Sequence, residues 1–485
     1  MSKSIRFSYR FHPVGQGLFA NGYLMKNGES EPHFAWVYDC GTSSSPKFVT
    51  NGIGRLDKEV GNHGKIDLLV LSHFDHDHIS GVCRLLAKFR IGTLMLPYMS
   101  LAQRLVIAFE EGSGSAEEVH TQFYLNPVAF LLAQDGPGIG RILFVPPSGR
   151  EGPPLLPGAP DQPDDDEPDS ELRFNPDKPD DRDEVMLLVD AAQGSAINTS
   201  VEFLRKGTAM TLGSYWEFVP YNDDPEIEIT DEFVAVAKAE GSKLRKAADF
   251  KSSKEALKRL KQVYDRHFGD DSEARNVISL HLYAGPVYPT WSCTWLQLAR
   301  WSHQQWNQLF EFRHTPSLSP HVEYGTGQCS ILYTGDGYLD NFERLRNLIA
   351  YLHELRVRST GIFQVMHHGS KANWHSGVGS AISPLFSIFS SDPNRLDWKH
   401  PHAAVVRDFW NYGPVQVDKQ RSFQAWGILE PMFEETHAHV FPPFVGDNCP
   451  ECGSQMMEGE FSVDHEDDEI YHIVRCRECN WGGCI

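Results

Sequence analysis

Ser72-His73-Phe74-Asp75-His76-Asp77-His78-Ile79-Ser80-Gly81 decides how this chain is read. Between His73 and His78, five of six side chains can ligate a metal. The run directly follows Ile66-Asp67-Leu68-Leu69-Val70-Leu71, an apolar stretch with the form of a buried strand. A loop at the carboxyl end of a strand can turn several side chains toward one point while the strand fixes its origin. The stretch therefore predicts a ligand loop rather than a solvated turn that happens to hold histidines.

Working outward, 485 residues give room for two or three domains, or for one large α/β domain with insertions and an appendage. With 41% hydrophobic and 22% charged residues the chain can bury a core. A formal net charge of −21 argues against general adhesion to nucleic-acid backbones, while leaving room for a local positive groove. No amino-terminal run has signal-peptide form, and no apolar stretch reaches the roughly 18 residues that span a bilayer. A soluble, cytoplasmic protein without membrane contact is expected. Of nine cysteines, four form two Cys-x-x-Cys pairs near the carboxyl end, which in an intracellular protein favours metal over disulfides.

Ile5 to Phe11 alternates like a strand, Val14-Gly15-Gln16-Gly17 makes a turn where glycine allows close backbone approach, and Phe34 to Tyr38 is a strand ending in Asp39-Cys40-Gly41. After the ligand loop, Val82 to Phe89 suits a helix, Ile91 to Leu96 a strand, and residues 99–140 a helical insertion. Pro146 to Glu184 is rich in Pro, Asp and Glu, cannot offset its ordering entropy by burial, and is expected to be a mobile loop within an insertion over 146–210. Trp216 to Val219 resumes the core, and Lys254 to Phe268 reads as an amphipathic helix whose Lys254, Lys258, Arg259 and Lys261 form a charged, exposed face. Asn276 to Leu282 and Ser330 to Asp336 read as core strands flanking a Trp-rich insertion over 284–326, with Trp291, Trp295, Trp301 and Trp306. Leu339 to Leu352 fits a helix. A strand from Gly361 to Met366 then delivers His367-His368-Gly369-Ser370-Lys371, and another, Leu385 to Phe389, leads to His400-Pro401-His402.

Asp336, at a strand terminus and preceded by Gly335, is well placed to bridge two metals, each of its oxygens taking one ion. The loop and this order of elements resemble the metallo-β-lactamase fold hydrolases, whose signature is His-x-His-x-Asp-His. Here that spacing gives His73, Asp75, Asp77 and His78, with aspartate in the place of the second histidine and His76 on a spacer. A register starting from His76 would put Ser80 and Gly81 in the Asp and His places. The variant looks like the carboxy-terminal domain of the DNA-uptake protein ComEC and its soluble relatives, where Val-Gly-Gln-Gly and Asp-x-Gly also occur beside the site. The resemblance implies an αββα sandwich and a metal set of His73, Asp75, Asp77, His78, Asp336 and His368, with Asp336 bridging. His368 is the better ligand and His367 its hydrogen-bonding support or a substrate contact. Where the wider family carries a further histidine, this chain has Asn276 and Ser279, as ComEC-like domains tend to have. One ion, or two of unequal affinity, is implied, Zn²⁺ or, with so many carboxylates, Mn²⁺.

Cys449-Pro450-Glu451-Cys452 and Cys476-Arg477-Glu478-Cys479, 23 residues apart, predict a closed structural Zn²⁺ site. Cys484 is a bystander, and Cys40, Cys83, Cys293 and Cys329 read as small buried hydrophobes. The expected organisation is a hydrolase domain over residues 1–435 and a zinc ribbon over 436–485. The expected reaction is metal-dependent hydrolysis of a phosphodiester in a nucleic acid or nucleotide. Asp77 or Asp336 would orient the attacking hydroxide, Lys371 and His400 would steady the phosphate or protonate a leaving group, and Asn276 and Ser279 would donate hydrogen bonds. Two alternatives stand beside it: cleavage of an ester, thioester or protein conjugate, and a partner-binding subunit acting through the ribbon or the Trp-rich insertion.

Overall fold

The computed structural model describes residues 4–431 apart from 62–63, 111–122, 150, 155–170, 178–187, 191–198, 224–229, 247–257, 260–261, 264–265, 267–278, 288–290, 298–326 and 396–398, and beyond these 457–464, 469–476 and 482–484. Two compact units result, Met1–Pro431 and Met432–Ile485. The strands of the first unit, in chain order, are β1 (Ile5–Phe11), β2 (Phe19–Lys26), β3 (Phe34–Cys40), β4 (Lys65–Val70), β5 (Arg90–Pro97), β6 (Ile139–Val145), β7 (Leu172–Arg173), β8 (Pro176–Asp177), β9 (Ser200–Leu204), β10 (Met210–Leu212), β11 (Trp216–Asn222), β12 (Leu280–Pro286), β13 (Trp291–Gln297), β14 (Ser330–Tyr333), β15 (Thr360–Gln364), β16 (Phe386–Ser390), β17 (Pro414–Val417) and β18 (Phe423–Pro431).

They build a ten-stranded sheet ordered β13-β18-β1-β2-β3-β4-β5-β6-β9-β8 and an eight-stranded sheet ordered β17-β16-β15-β14-β12-β11-β10-β7. In each, an antiparallel half gives way to a parallel one: β3 to β6 run parallel in the first, and β14 to β17 in the second. Parallel strands need both faces covered. One cover is the shared interior, where β1 sends Ile5, Phe7, Tyr9 and Phe11 against Trp216, Phe218 and Tyr333. Buried hydroxyls there are satisfied, Tyr9 donating to the Cys329 carbonyl and Tyr38 to the Leu280 carbonyl, both at 2.6 Å.

Helices cover the outer faces. On the first sheet lie α1 (Pro46–Val60), α2 (His76–Ile79), α3 (Val82–Lys88) and, after α4 (Leu101–Glu110), which packs on the helix Asp231–Lys246, α5 (Pro127–Leu132). Sequence reasoning missed α1, although Val49, Ile53, Leu56 and Val60 make a helical stripe behind Pro46, because its low mean hydropathy hides that stripe. After α6 (Asp231–Lys246), the helices α7 (Phe342–Leu352), α8 (Glu354–Arg358), α9 (Val378–Ile382) and α10 (Ala403–Asp408) follow, and Leu345, Leu348, Val378 and Val405 pack on the second sheet. This is the helix–sheet–sheet–helix layering expected of a metallo-β-lactamase-type sandwich. Among the described residues no helix is long and apolar enough to cross a membrane.

Four expectations are corrected. The Trp-rich stretch does not begin outside the core: β12 is a central strand, and β13 pairs with β18, burying Trp295 while Trp291 packs against the same core. Trp301 and Trp306 lie outside the described residues. The Pro- and Asp-rich stretch is partly ordered, because short edge strands need only backbone pairing: β7 joins one sheet and β8 the other, with Leu172 buried. Cys293 and Cys329 are not separate thiols but a disulfide, with Cα atoms 6.3 Å apart, joining β13 to the start of β14. Their 36-residue separation hides a pairing made only when the sheets close on one another. Cys83 is exposed, on the outer side of α3. Of the expected charged helix, Lys254 and Lys261 fall outside the described residues, and Arg259 pairs with Glu240 at 2.8 Å.

In the second unit β19 (Met457–Asp464) and β20 (Glu469–Cys476) form a hairpin joined by β21 (Gly482–Cys484). Met457 is opposite Cys476, so the chain enters and leaves the hairpin at one end. Cys449, Cys452 and Cys479 lie outside the described residues.

The buried ion pair of Arg356 and Glu217 closes the first unit. Arg356 grips both carboxylate oxygens at 2.7 and 2.8 Å and donates to the carbonyls of Pro153 and Pro154. Truncating one partner leaves a buried charge alone, so Arg356→Ala should lower the unfolding free energy by about 3–5 kcal/mol in urea titration. Lys88→Ala, which removes an exposed pair with Asp57, should cost under about 1 kcal/mol.

Candidate metal centre

Strand ends from both sheets meet at one place. Asp39 comes from β3, Ser72 to His78 from the loop after β4, Asp336 from the turn after β14, His367 and His368 from the turn after β15, and Ser390 from the end of β16. Asp75 precedes the single turn α2, which sends Asp77 and His78 inward and leaves the spacer His76 exposed. Two glycines let neighbouring backbone close on this loop. A Cβ on Gly17, whose φ is 141°, would sit 2.6 Å from the Asp77 carbonyl, and one on Gly41 would sit 2.4 Å from it. Leu18 N–H donates to that same carbonyl at 3.1 Å.

The imidazoles aim Nε2 at carboxylates. His78 Nε2 is 3.1 Å from Asp336 Oδ1 and His368 Nε2 3.6 Å from it; His73 Nε2 and His367 Nε2 are 3.7 and 3.6 Å from Asp336 Oδ2. His368 Nε2 also lies 3.1 Å from Asp77 Oδ2, and His73 Nε2 3.8 Å from Asp75 Oδ2. Two groups of three converge within 4.8 Å: His73, His78 and Asp336, and Asp77, His78 and His368.

Each Nδ1 is tied outward. His78 Nδ1 donates to Asp39 Oδ2 at 2.7 Å, His368 Nδ1 to the Ser390 carbonyl at 2.6 Å, and His367 Nδ1 to Asn373 Oδ1 at 2.7 Å. Ser72 Oγ–H donates to Asp39 Oδ2 at 2.6 Å, so its oxygen is left to accept from His73 Nδ1–H at 2.8 Å. These partners hold every Nε2 facing the centre, where a metal would meet its lone pair once any proton there is displaced. Asp39 also accepts from Ser72 N–H at 2.7 Å.

This set fits a divalent cation. His73 Nε2, His78 Nε2 and Asp336 Oδ1 are buried without a hydrogen bond, and atoms each about 2.0–2.2 Å from a shared ion sit roughly 3–3.6 Å apart. Imidazole with carboxylate suits Zn²⁺ and, at this carboxylate content, Mn²⁺. Asp39, His367 and His368 have φ of 55°, 42° and 57°, a left-handed backbone costing of order 1–3 kcal/mol each and held only where surroundings over-determine it.

Charge balance without an ion falls on protons. Burial alone would raise Asp336 and Asp77, yet the surrounding imidazoles hold both below the usual carboxylate range. Burial alone would lower His78 and His368, but Asp336 with Asp39, and Asp336 with Asp77, hold them above the usual histidine range. His73, farther from any carboxylate, is pushed by burial and then by His78 down to about 3.

Of the remaining residues expected at the site, Ser279 Oγ accepts from Asp336 N–H at 3.1 Å and donates to the Thr334 carbonyl at 3.4 Å, so it holds the turn that carries Asp336. Asn276 lies outside the described residues. His400 meets His367 edge-on at 5.3 Å and stacks on His368 at 6.3 Å between ring centres. Burial, then the charges of His368 and His367, lower it to about 3, so near pH 7 it is neutral, suited to contacting substrate rather than to acting as an acid. Lys371 is exposed. Sequence reasoning placed Asp39 beside the site without a role, and missed Ser72, Asn373 and Gln364. Gln364 Oε1 accepts from Thr334 and Gly335 N–H at 2.8 and 2.7 Å, fixing the turn before Asp336. A polar residue ending the apolar strand β15 was the available signal.

No family model and no curated protein matches the chain. Among solved structures it is similar to the metallo-beta-lactamase fold protein YhfI from Bacillus subtilis, at 8% identity and a TM-score of 0.31, over 86% of this chain and 99% of that one. It is also similar to a long form RNase Z from yeast, at 8% identity and a TM-score of 0.26, over 74% of this chain and 32% of that one. At such TM-scores neither likeness bears on what the chain does.

Metal must displace the protons of His78 and His368, so affinity should climb as pH rises through neutrality, with proton release on binding. Calorimetry of Mn²⁺ binding in buffers of different ionisation enthalpy measures this; uptake unchanged between about pH 6 and 9 would contradict it. Asp39→Asn loses the charge behind His78 and should weaken metal binding about 10–100-fold, as read by competition with a chelator.

Proposed function

We propose that the chain is a metal-dependent hydrolase of the metallo-β-lactamase fold, ComEC-like in its ligand pattern, and that its substrates are phosphodiesters. The observation that carries this reading is the outward tethering of four Nδ1 atoms, which commits four Nε2 atoms to one buried pair of carboxylates, Asp336 and Asp77. A bound dication supplies Lewis acidity toward a phosphoryl oxygen and lowers the pKa of water. Asp77, held ionised, orients the attacking water by accepting its hydrogen bond. Neutral His400 lines the approach beside His367.

Exposed cations near the His367–His368 turn favour an anionic substrate. Although the chain carries −21 overall, the turn following His368 brings exposed Lys371 close to His402, and exposed Arg407 stands there too, both disfavouring a proton on His402 after the effect of burial. His402 N–H is bound to the Gly369 carbonyl at 2.9 Å, next to the ligand histidines. An ammonium meets a phosphoryl oxygen as a point charge. For the second unit we propose a structural zinc ribbon, supported by a hairpin whose open end lies at Cys476 and Met457, five residues after Cys452.

Protein loaded with Mn²⁺ or Zn²⁺ should hydrolyse bis-p-nitrophenyl phosphate or short oligonucleotides. Asp336→Ala should reduce this by about 10³-fold or more, because Lewis acidity is worth several kcal/mol in the transition state. Lys371→Ala should cost about tenfold on diesters and spare carboxylic esters. Cleavage of a lactone, thioester or ubiquitin-like conjugate with every phosphodiester untouched would overturn the substrate class, and inactivity on all of them would favour a partner-binding subunit.

A further inference from the structure

The two oxygens of Asp336 face different pairs of imidazoles. Oδ1 is approached by His78 and His368 at 3.1 and 3.6 Å, and Oδ2 by His73 and His367 at 3.7 and 3.6 Å. Asp77 joins the Oδ1 side through His368 at 3.1 Å, and Asp75 the Oδ2 side through His73 at 3.8 Å. By sequence pattern the Oδ2 side is short of a histidine, since Asn276 and Ser279 stand in the family's third place. Ser279 supplies no replacement, because its hydroxyl is engaged by Asp336 N–H and the Thr334 carbonyl.

His367 has the geometry of that missing ligand. Asn373 Nδ2 donates to the Asp336 carbonyl at 2.9 Å, which orients Asn373 Oδ1 to accept from His367 Nδ1–H at 2.7 Å. The ring is thereby fixed with its Nε2 lone pair toward Oδ2. Consecutive residues in regular extended backbone would point to opposite faces. Here the left-handed φ of 42° and 57° instead sends both imidazoles to one carboxylate, and His367 N–H to the Gly335 carbonyl at 3.0 Å and Ser370 N–H to the His367 carbonyl at 2.8 Å hold that bend.

We propose that His367 is a metal ligand in its own right, completing with His73, Asp75 and Asp336 Oδ2 a second cation position, while His368 serves the position of Asp77, His78 and Asp336 Oδ1. The inference rests on the metal-dependent reading of the site. The side chain of His367 is 20% exposed against 0% for His368, so the ion on the Oδ2 side is the more readily lost.

The test counts Mn²⁺ bound to the full chain by equilibrium dialysis and mass spectrometry, with electron paramagnetic resonance to detect coupling between neighbouring ions. Mn²⁺ is the probe because thiolates select softer ions, so the carboxyl-terminal cysteines do not enter the count. Wild type should bind two equivalents with a coupled signal. His367→Ala should retain one equivalent and lose the coupling, and His367→Asp, which restores a ligand atom, should regain the second. Asn373→Ala should weaken the second equivalent about 10–100-fold. Two coupled equivalents at wild-type affinity in His367→Ala would overturn the assignment and leave the metal-dependent reading standing. A single equivalent in wild type would overturn the two-position division, and none would overturn the metal-dependent reading together with it. Should His367→Ala fail to fold, His367→Gln gives the same count: loss of the second equivalent supports the assignment, and two equivalents at wild-type affinity overturn it.

Discussion

The carboxylate of Asp336, buried among His73, His78, His367 and His368, is the constraint on which the rest of the site depends. Gathering Asp39, Asp75, Asp77 and Asp336 in one low-dielectric place costs several kcal/mol for each ion left unbalanced. Cations offset that cost, as protons on His78 and His368 or as metal in their stead. The neighbourhood is arranged to keep the carboxylate available. Ser279 and Gln364 fix the backbone before it, and Asn373 holds its own carbonyl, so its two oxygens remain for the imidazoles.

The ligands arrive from chain segments more than 250 residues apart, so the register between the sheets sets the geometry. Tyr38 of the first sheet donates to the Leu280 carbonyl of the second, and Leu280 N–H returns to the Ser72 carbonyl at 2.8 Å. Ser390 Oγ bonds to the Gly17 carbonyl at 2.7 Å, tying the end of β16 to the turn that closes over Asp77. The aromatic interior behind these bonds, with Tyr38 stacked on Tyr333 at 4.5 Å, leaves little freedom for one sheet to slide on the other.

Where the converging side chains lie close together in sequence, their clustering was legible. His73 to His78 follows an apolar strand and precedes a glycine, and Asp336 and His368 likewise end apolar strands, so motif and period agreed. Asp39 was visible only as a strand end; its charge-bearing role behind His78 requires β3 and β4 to lie parallel and adjacent. Nothing local marked Asn373, because its value comes from a turn that returns it to both His367 and Asp336. The disulfide and the strand β13 were obscured for the same reason: edge pairing with β18, and closure against β14, join parts of the chain that share no local pattern. A Pro- and Asp-rich composition correctly signals poor burial on average, yet Leu172 alone is enough to seat a short edge strand.

Anomalous diffraction from crystals equilibrated with Mn²⁺ would test the metal centre most directly. A peak is predicted within about 2.0–2.3 Å of His78 Nε2 and Asp336 Oδ1, and another at the same distance from His73 Nε2 and Asp336 Oδ2. Ordered imidazoles in the arrangement described, with no anomalous scatterer among them at saturating Mn²⁺ or Zn²⁺, would contradict a metal-dependent site.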